Sequence, residues 1–227
     1  MNPWPNIKAF AAEQGLEIIG VDEAGRGPLF GPVVAGAAWL GGLEVDSIPS
    51  KPSVIPIDNA ENSIQGLACS KTLSEKKREF LFEQITSSAP AWAVAEASTE
   101  EIDQINILQA SLLAMHRAVD LVVERSGLDP SKCLILVDGN KLPKWRYKAH
   151  AVVKGDVWVP AISAGSILAK VSRDRWCVKI ASQFPQFELD RHMGYPTPRH
   201  LELIRLHGIC EHHRKSFRPV RDAHQNS

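Results

Sequence analysis

Near the start of the chain two apolar runs, LEIIGVD (16 to 22) and GPVVAGAAWL (31 to 40), flank a loop that carries Gly25, Gly27 and Gly31. Both runs are rich in β-branched residues and bounded by glycine, the pattern of buried strands, so they read as two strands joined by that loop. The first run ends on two adjacent acids, Asp22 and Glu23. AWAVAEAS (91 to 98), CLILVDG (133 to 139) and AHAVVKGD (149 to 156) read as further strands, the last two running out at Asp138 and Asp156.

Helical signals alternate with these runs. TLSEKKREFLFEQI begins a helix with Ser74 as N-cap, and the cap is partial because Lys77 stands where a capping box would place Glu or Gln. A long helix is expected from Thr99, with Glu100 and Glu101 in its first turn. Leu108, Leu112, Met115, Val119 and Val122 fall on one face of it, and it ends near Gly127. Two more helices are expected, from about Ser163 to Phe184 and from Thr197 to His207. A hairpin followed by alternating strands and helices predicts an α/β fold: a mixed sheet flanked by helices. Residues 41–69 are rich in Pro, Ser, Asn and Gly with little periodicity, and read as an insertion loop.

With 227 residues, one large domain with terminal additions is expected. No run approaches the roughly 18 apolar residues of a membrane span. The opening MNPWPNIKAF lacks a basic start followed by an apolar core, so a cytoplasmic protein without a membrane partner is expected. Cys69, Cys133, Cys177 and Cys210 stand far apart without a C-x-x-C pair and are expected as free thiols. The zero net charge conceals an asymmetry: residues 1–140 hold 10 Lys and Arg against 19 Asp and Glu, and residues 141–227 hold 16 against 7. Unless the halves intermix on the surface and cancel, the second half suits a polyanion.

Asp22, Glu23, Asp138 and Asp156 all lie at expected strand ends, where α/β sheets build their sites. Two unit charges 4 Å apart repel by about 4 kcal/mol at an effective dielectric near 20, so four gathered carboxylates require cations. Oxygen-only ligation favours Mg²⁺ or Mn²⁺ over zinc. Two such ions form the clamp used for in-line phosphodiester displacement, so metal-dependent phosphodiester hydrolysis is the expected chemistry.

Seven blocks carry a closer resemblance: VDEAGRGPLFGPVVAGA (21 to 37), SKTLSEKKRE (70 to 79), LVDGN (136 to 140), VVKGD (152 to 156), ISAGSILAKVSRDR (162 to 175), HMGYPTPRH (192 to 200) and HRKSFRPV (213 to 220). In this order they resemble bacterial ribonuclease HII, the type 2 ribonuclease H. The resemblance implies an RNase H-like five-stranded sheet in a single domain, 1–227, with a C-terminal helical extension from about residue 185. It implies an endonuclease that cuts RNA in RNA–DNA hybrids and incises 5′ of single ribonucleotides in duplex DNA, leaving 3′-hydroxyl and 5′-phosphate ends. A monomer is expected. A catalytically weak hybrid-binding protein of the same fold is the alternative.

Matched motif to motif, the metal-binding acids are Asp22, Glu23, Asp138 and Asp156. Gly25, Arg26 and Gly27 match the loop that senses the ribose 2′-hydroxyl, with Arg26 able to grip a phosphate. Tyr195 matches the tyrosine that packs on the sugar. Lys71, Ser166, Lys170 and the run His213, Arg214, Lys215 are candidate phosphate contacts. Asp174 lies four residues after Lys170, so an ion pair with it is expected, and a fourth-ligand role comes second. For His192 and His200, local hydrogen bonding is expected over metal binding. The chain departs from the family pattern at Cys69 and Thr72, where an aspartate and a second lysine are usual, and at Gly165, where alanine is usual.

Overall fold

The computed structural model describes residues 2–42, 64 and 66–225. The expected insertion loop therefore lies outside the described residues except at 41, 42, 64 and 66–69. Five strands form one mixed sheet in the order β3-β2-β1-β4-β5: β1 (Glu17–Ala24), β2 (Val33–Trp39), β3 (Ala91–Ala97), β4 (Cys133–Asp138) and β5 (Lys148–Val152). β2 pairs antiparallel with both β1 and β3, whereas β4 runs parallel to both β1 and β5. The central β1 is covered on both faces, which is why its sequence is a continuous apolar run.

Successive side chains of a strand point to opposite faces, and this sorts the core into two layers. Ile19 and Val21 of β1 join Ile135 and Val137 of β4 beneath α3 (Thr99–Ser126). Leu134 and Leu136 face the other way, towards α2 (Glu75–Ser88) and α5 (Pro160–Ala181). The face α3 buries differs from the expected stripe. Met115, Val119 and Val122 are buried, but Leu108 and Leu112 are only partly so, and Ala110, Ala114 and Ala118 make the close contact. Alanines four apart let the helix approach the sheet more closely than leucines would. The helix also bends at Asn106, whose φ of 66° and ψ of 162° are not helical. Its side-chain Oδ1 accepts from the amides of Leu108 (3.0 Å) and Gln109 (3.2 Å), so it caps the second half of α3.

Across the other face the contact is backbone on backbone. A Cβ on Gly20 would lie 2.2 Å from the carbonyl carbon of Ala161, and one on Gly36 would lie 2.3 Å from the Gly165 oxygen. Glycine at these positions seats α5 directly on β1 and β2.

Two expected boundaries move. α5 begins at Pro160, because proline suits the first turn of a helix, and ends at Ala181. The strand expected to run out at Asp156 stops at Val152, since Lys154 turns left-handed (φ 57°), and Asp156 sits in the first turn of α4 (Gly155–Trp158). α1 (Trp4–Glu13) covers one end of the sheet and was not foreseen from the sequence.

After Ala181 the chain forms α6 (Leu189–His192), α7 (Pro198–His207) and α8 (Arg218–Gln225), with Thr197, expected as the first residue of α7, standing as its N-cap. The β1–β2 loop plugs this segment onto the sheet. Phe30 packs among Ile180, Phe187, Leu189 and Leu203, and Leu29 packs against Ile204 and Val220. Among the described residues no helix is long and apolar enough to cross a membrane. The four cysteines form no disulfide.

Candidate active site

The parallel register of β1 and β4, in which Val21 lies opposite Val137, brings Asp22 and Asp138 side by side at the C-terminal ends of their strands. Both occupy the strand positions that face α5. Asp22 is 4% exposed; its Oδ1 accepts the Glu23 amide at 2.7 Å. Glu23 turns to the opposite face, where Arg26 Nη1 donates to its Oε1 at 3.3 Å. Asp156 reaches the same end from α4, and its amide donates to Asp138 Oδ1 at 3.3 Å.

The electrostatics join the acids into one group. Burial, then the charges of Glu23 and Asp138, hold the Asp22 carboxyl well above the usual range. Burial also raises Glu23, opposed by Arg26. Burial and Asp156 raise Asp138. Lys71 stands beside the cluster: its partial burial disfavours the ammonium, but Asp156 and Asp22 outweigh that and lift its pKa. A hard cation among these oxygens would favour their ionised forms and offset their mutual repulsion. Among the described residues no three His, Cys, Asp or Glu side chains already close around one point.

The glycine loop begins directly after the acids. Gly25 has a φ of +95°, and a Cβ there would lie 2.1 Å from Arg173 Nε. Gly27 carries no such constraint; a Cβ on it would meet Tyr195 Cε1 at 3.5 Å. Tyr195 itself is 40% exposed. Gly27 and the tyrosine ring thus flank one surface next to Glu23 and Arg26.

The sequence profile described as Ribonuclease HII matches residues 53–220. A ribonuclease HII of Polynucleobacter asymbioticus is 52% identical over 204 residues, 90% of this chain and 94% of that protein. The crystal structure of ribonuclease H2 from Pyrococcus horikoshii OT3 superposes with a TM-score of 0.65 at 25% identity, covering 93% of this chain and 98% of that one. Bst-RNase HIII, solved in complex with Mn²⁺, shares the fold with a TM-score of 0.63 at 19% identity over 95% of this chain and 72% of that one. The chain belongs to the ribonuclease HII family. Membership makes it a ribonuclease H, an endonuclease acting on RNA–DNA hybrids.

Against that activity, the remaining sequence-predicted residues divide. Lys170 Nζ donates to Asp174 Oδ1 at 2.8 Å, so this acid is occupied by its helical neighbour. Ser166, expected as a phosphate contact, is buried and turned inward. It pairs with Ser70 Oγ at 2.9 Å and bonds Asp22, supporting the acid from behind.

Arg214 requires a larger correction. It is fully buried, and its guanidinium donates to five backbone carbonyls of the glycine loop: Gly31 (2.8 Å), Arg26 (3.2 Å), Pro28 (2.8 Å), Gly25 (2.7 Å) and Pro32 (3.0 Å). All five N–H donors of an arginine are thereby used, and none remains for a phosphate. His213 is buried as well, so only Lys215 of that run is exposed.

His192 and His200 bond locally, to the carbonyls of Phe187 and Tyr195, each at 2.9 Å. Three contributors escaped sequence reasoning: Ser70, Asp103 and Arg173. Arg173 donates to the carbonyls of Met193 (3.0 Å) and Phe30 (3.2 Å). Its place on α5, seven residues after Ser166 and four before Cys177, puts it on the buried face, and that spacing is the signal that could have exposed it.

Proposed function

We propose that this ribonuclease H incises duplex DNA on the 5′ side of single embedded ribonucleotides, as well as cutting RNA–DNA hybrids, by hydrolysis that leaves 3′-hydroxyl and 5′-phosphate ends. Asp22, Glu23, Asp138 and Asp156 would hold two divalent cations, Mg²⁺ or Mn²⁺. The observation that carries this reading is the gathering at one end of the sheet of carboxylates from β1, β4 and α4, with Asp22 and Asp138 side by side and the Asp156 amide on Asp138 Oδ1. The Mn²⁺ complex of the similarly folded Bst-RNase HIII supports it. Bound cations supply a water nucleophile at neutral pH and neutralise charge on the leaving oxygen.

The chain's own residues do the rest. Ser166 and the Glu23 amide orient Asp22. Lys71 brings a cation to the mouth of the acidic cluster, where a scissile phosphate would be drawn. Gly25, Arg26 and Gly27 present backbone close to a sugar, and Tyr195 offers a ring for it to rest on.

The test is cleavage of a duplex containing one ribonucleotide, with both product ends mapped, during Mg²⁺ and Mn²⁺ titration. Asp138→Asn is expected to abolish cleavage while hybrid binding persists. Wild-type cleavage by that variant would refute the assignment. Metal-independent binding without cleavage by the native chain would instead favour a hybrid-binding protein.

A further inference from the structure

The way the glycine loop is fastened bears on what it offers a substrate. Arg214 draws in the carbonyl oxygens of Gly25 and Arg26 from beneath. In a trans peptide the C=O and the following N–H point to opposite sides, and no peptide here is cis. Capture of these two oxygens therefore turns the amides of Arg26 and Gly27 away from the core. Among the described residues neither amide has a protein acceptor. The result is two adjacent outward N–H groups beside the exposed Tyr195 ring, a preformed seat for an oxygen acceptor.

Arg214 is itself held from the far side of the sheet. The Lys215 amide donates to Asp103 Oδ2 at 2.9 Å, while the amide and hydroxyl of Ser216 donate to Asp103 Oδ1 at 2.8 and 2.6 Å. Asp103 lies on the first part of α3, just before the bend at Asn106. Among the described residues no carboxylate hydrogen-bonds to either buried guanidinium: Arg214 and Arg173 donate to carbonyls. The loop's shape thus depends on where the backbone at residues 214 to 216 is pinned.

We propose that Arg214, anchored by Asp103, is the positioning residue that fixes the outward amides of Arg26 and Gly27 and thereby sets ribonucleotide discrimination. The inference rests on reading Gly25 to Gly27 as the ribose-sensing loop. A long hybrid presents a ribose in every register, whereas a single embedded ribonucleotide presents one, so a loosened loop penalises the second substrate more.

The experiment measures single-turnover rate and KM for both substrates with Arg214→Lys and Asp103→Ala. Misplacement of a positioning group by about 1 Å costs up to about 10²-fold. Arg214→Lys should therefore lower the single-ribonucleotide to hybrid rate ratio by about tenfold or more, and Asp103→Ala should shift it the same way by a few-fold. The hybrid KM should change less than about twofold, a split that general destabilisation would not produce. If Arg214→Lys fails to fold, Asp103→Ala decides. Folded variants with unchanged ratios overturn the inference. A native enzyme that cuts hybrids but never single ribonucleotides refutes the sensing-loop reading itself, and the inference falls with it.

Discussion

Gly36 and Gly165 face each other across the β2–α5 contact with no room for a side chain on either. A Cβ on Gly165 would lie 2.5 Å from the Gly36 oxygen and 3.3 Å from the Asp22 amide nitrogen. A side chain at position 165 fits only if the helix stands farther from the sheet. Gly165→Ala should therefore destabilise this chain by about 1 to 3 kcal/mol, as overpacking does. Urea unfolding measures it, and an unchanged midpoint would show that α5 moves off the sheet freely.

The strained acids imply a pH-dependent response to divalent ions. Burial and mutual repulsion raise Asp22, Glu23 and Asp138, so between their ordinary and raised values the folded state holds more protons than the unfolded one. Their contribution to stability consequently falls as pH rises through that window. Mg²⁺ or Mn²⁺ should offset the loss, raising Tm more at pH 7.5 than at pH 5. Thermal melts with and without metal test this, and Asp138→Asn should shrink the difference. An equal metal effect at both pH values would contradict it.

The buried histidines act in the opposite sense. Burial pushes His200 down to about 4, and burial together with His200 pushes His213 down to about 3. Both stay neutral in the fold while the unfolded chain protonates near 6.5. The stability they protect is complete above about 6.5 and is lost as pH falls towards 4, by about 1.4 kcal/mol per unit for each fully affected group. His213 packs edge-on to Phe30 at 4.9 Å, so acid should loosen the glycine loop first. Denaturation series at pH 7, 5.5 and 4.5 should show the slope, and a His200→Gln, His213→Gln double variant should flatten it.

Two glycines two residues apart should respond differently to alanine. At Gly25 the positive φ and the Arg173 contact make a side chain both strained and obstructed, so Gly25→Ala should lower stability along with activity. Gly27→Ala meets only ordinary contact with Tyr195, so its Tm should stay near that of the native protein. Its loss should appear in single-ribonucleotide incision, measured beside hybrid cleavage. Equal losses on both substrates would argue against a sensing role for Gly27.

The strands and the acids that end them were legible because burial on both faces leaves a continuous apolar run, and Asp22 and Asp138 interrupt such runs. Asp156 was displaced by one element because the left-handed turn falls on Lys154, a residue with no local preference for it, and not on the neighbouring Gly155. The buried face of α3 was misjudged for the opposite reason: large residues drew attention to Leu108 and Leu112, while the small ones at Ala110, Ala114 and Ala118 make the approach. Arg214 was unreadable locally. It sits in a polar, basic run, and its partners lie up to 189 residues earlier in the chain.

That separation has a consequence for the order in which the protein is made. A ribosome that has delivered β1 and β2 has not yet delivered the guanidinium that organises the turn between them. Until the segment around residue 214 emerges from the exit tunnel, five carbonyls of that turn lack their donor. The turn therefore cannot take its final shape until residue 214 has been made and has folded back onto it.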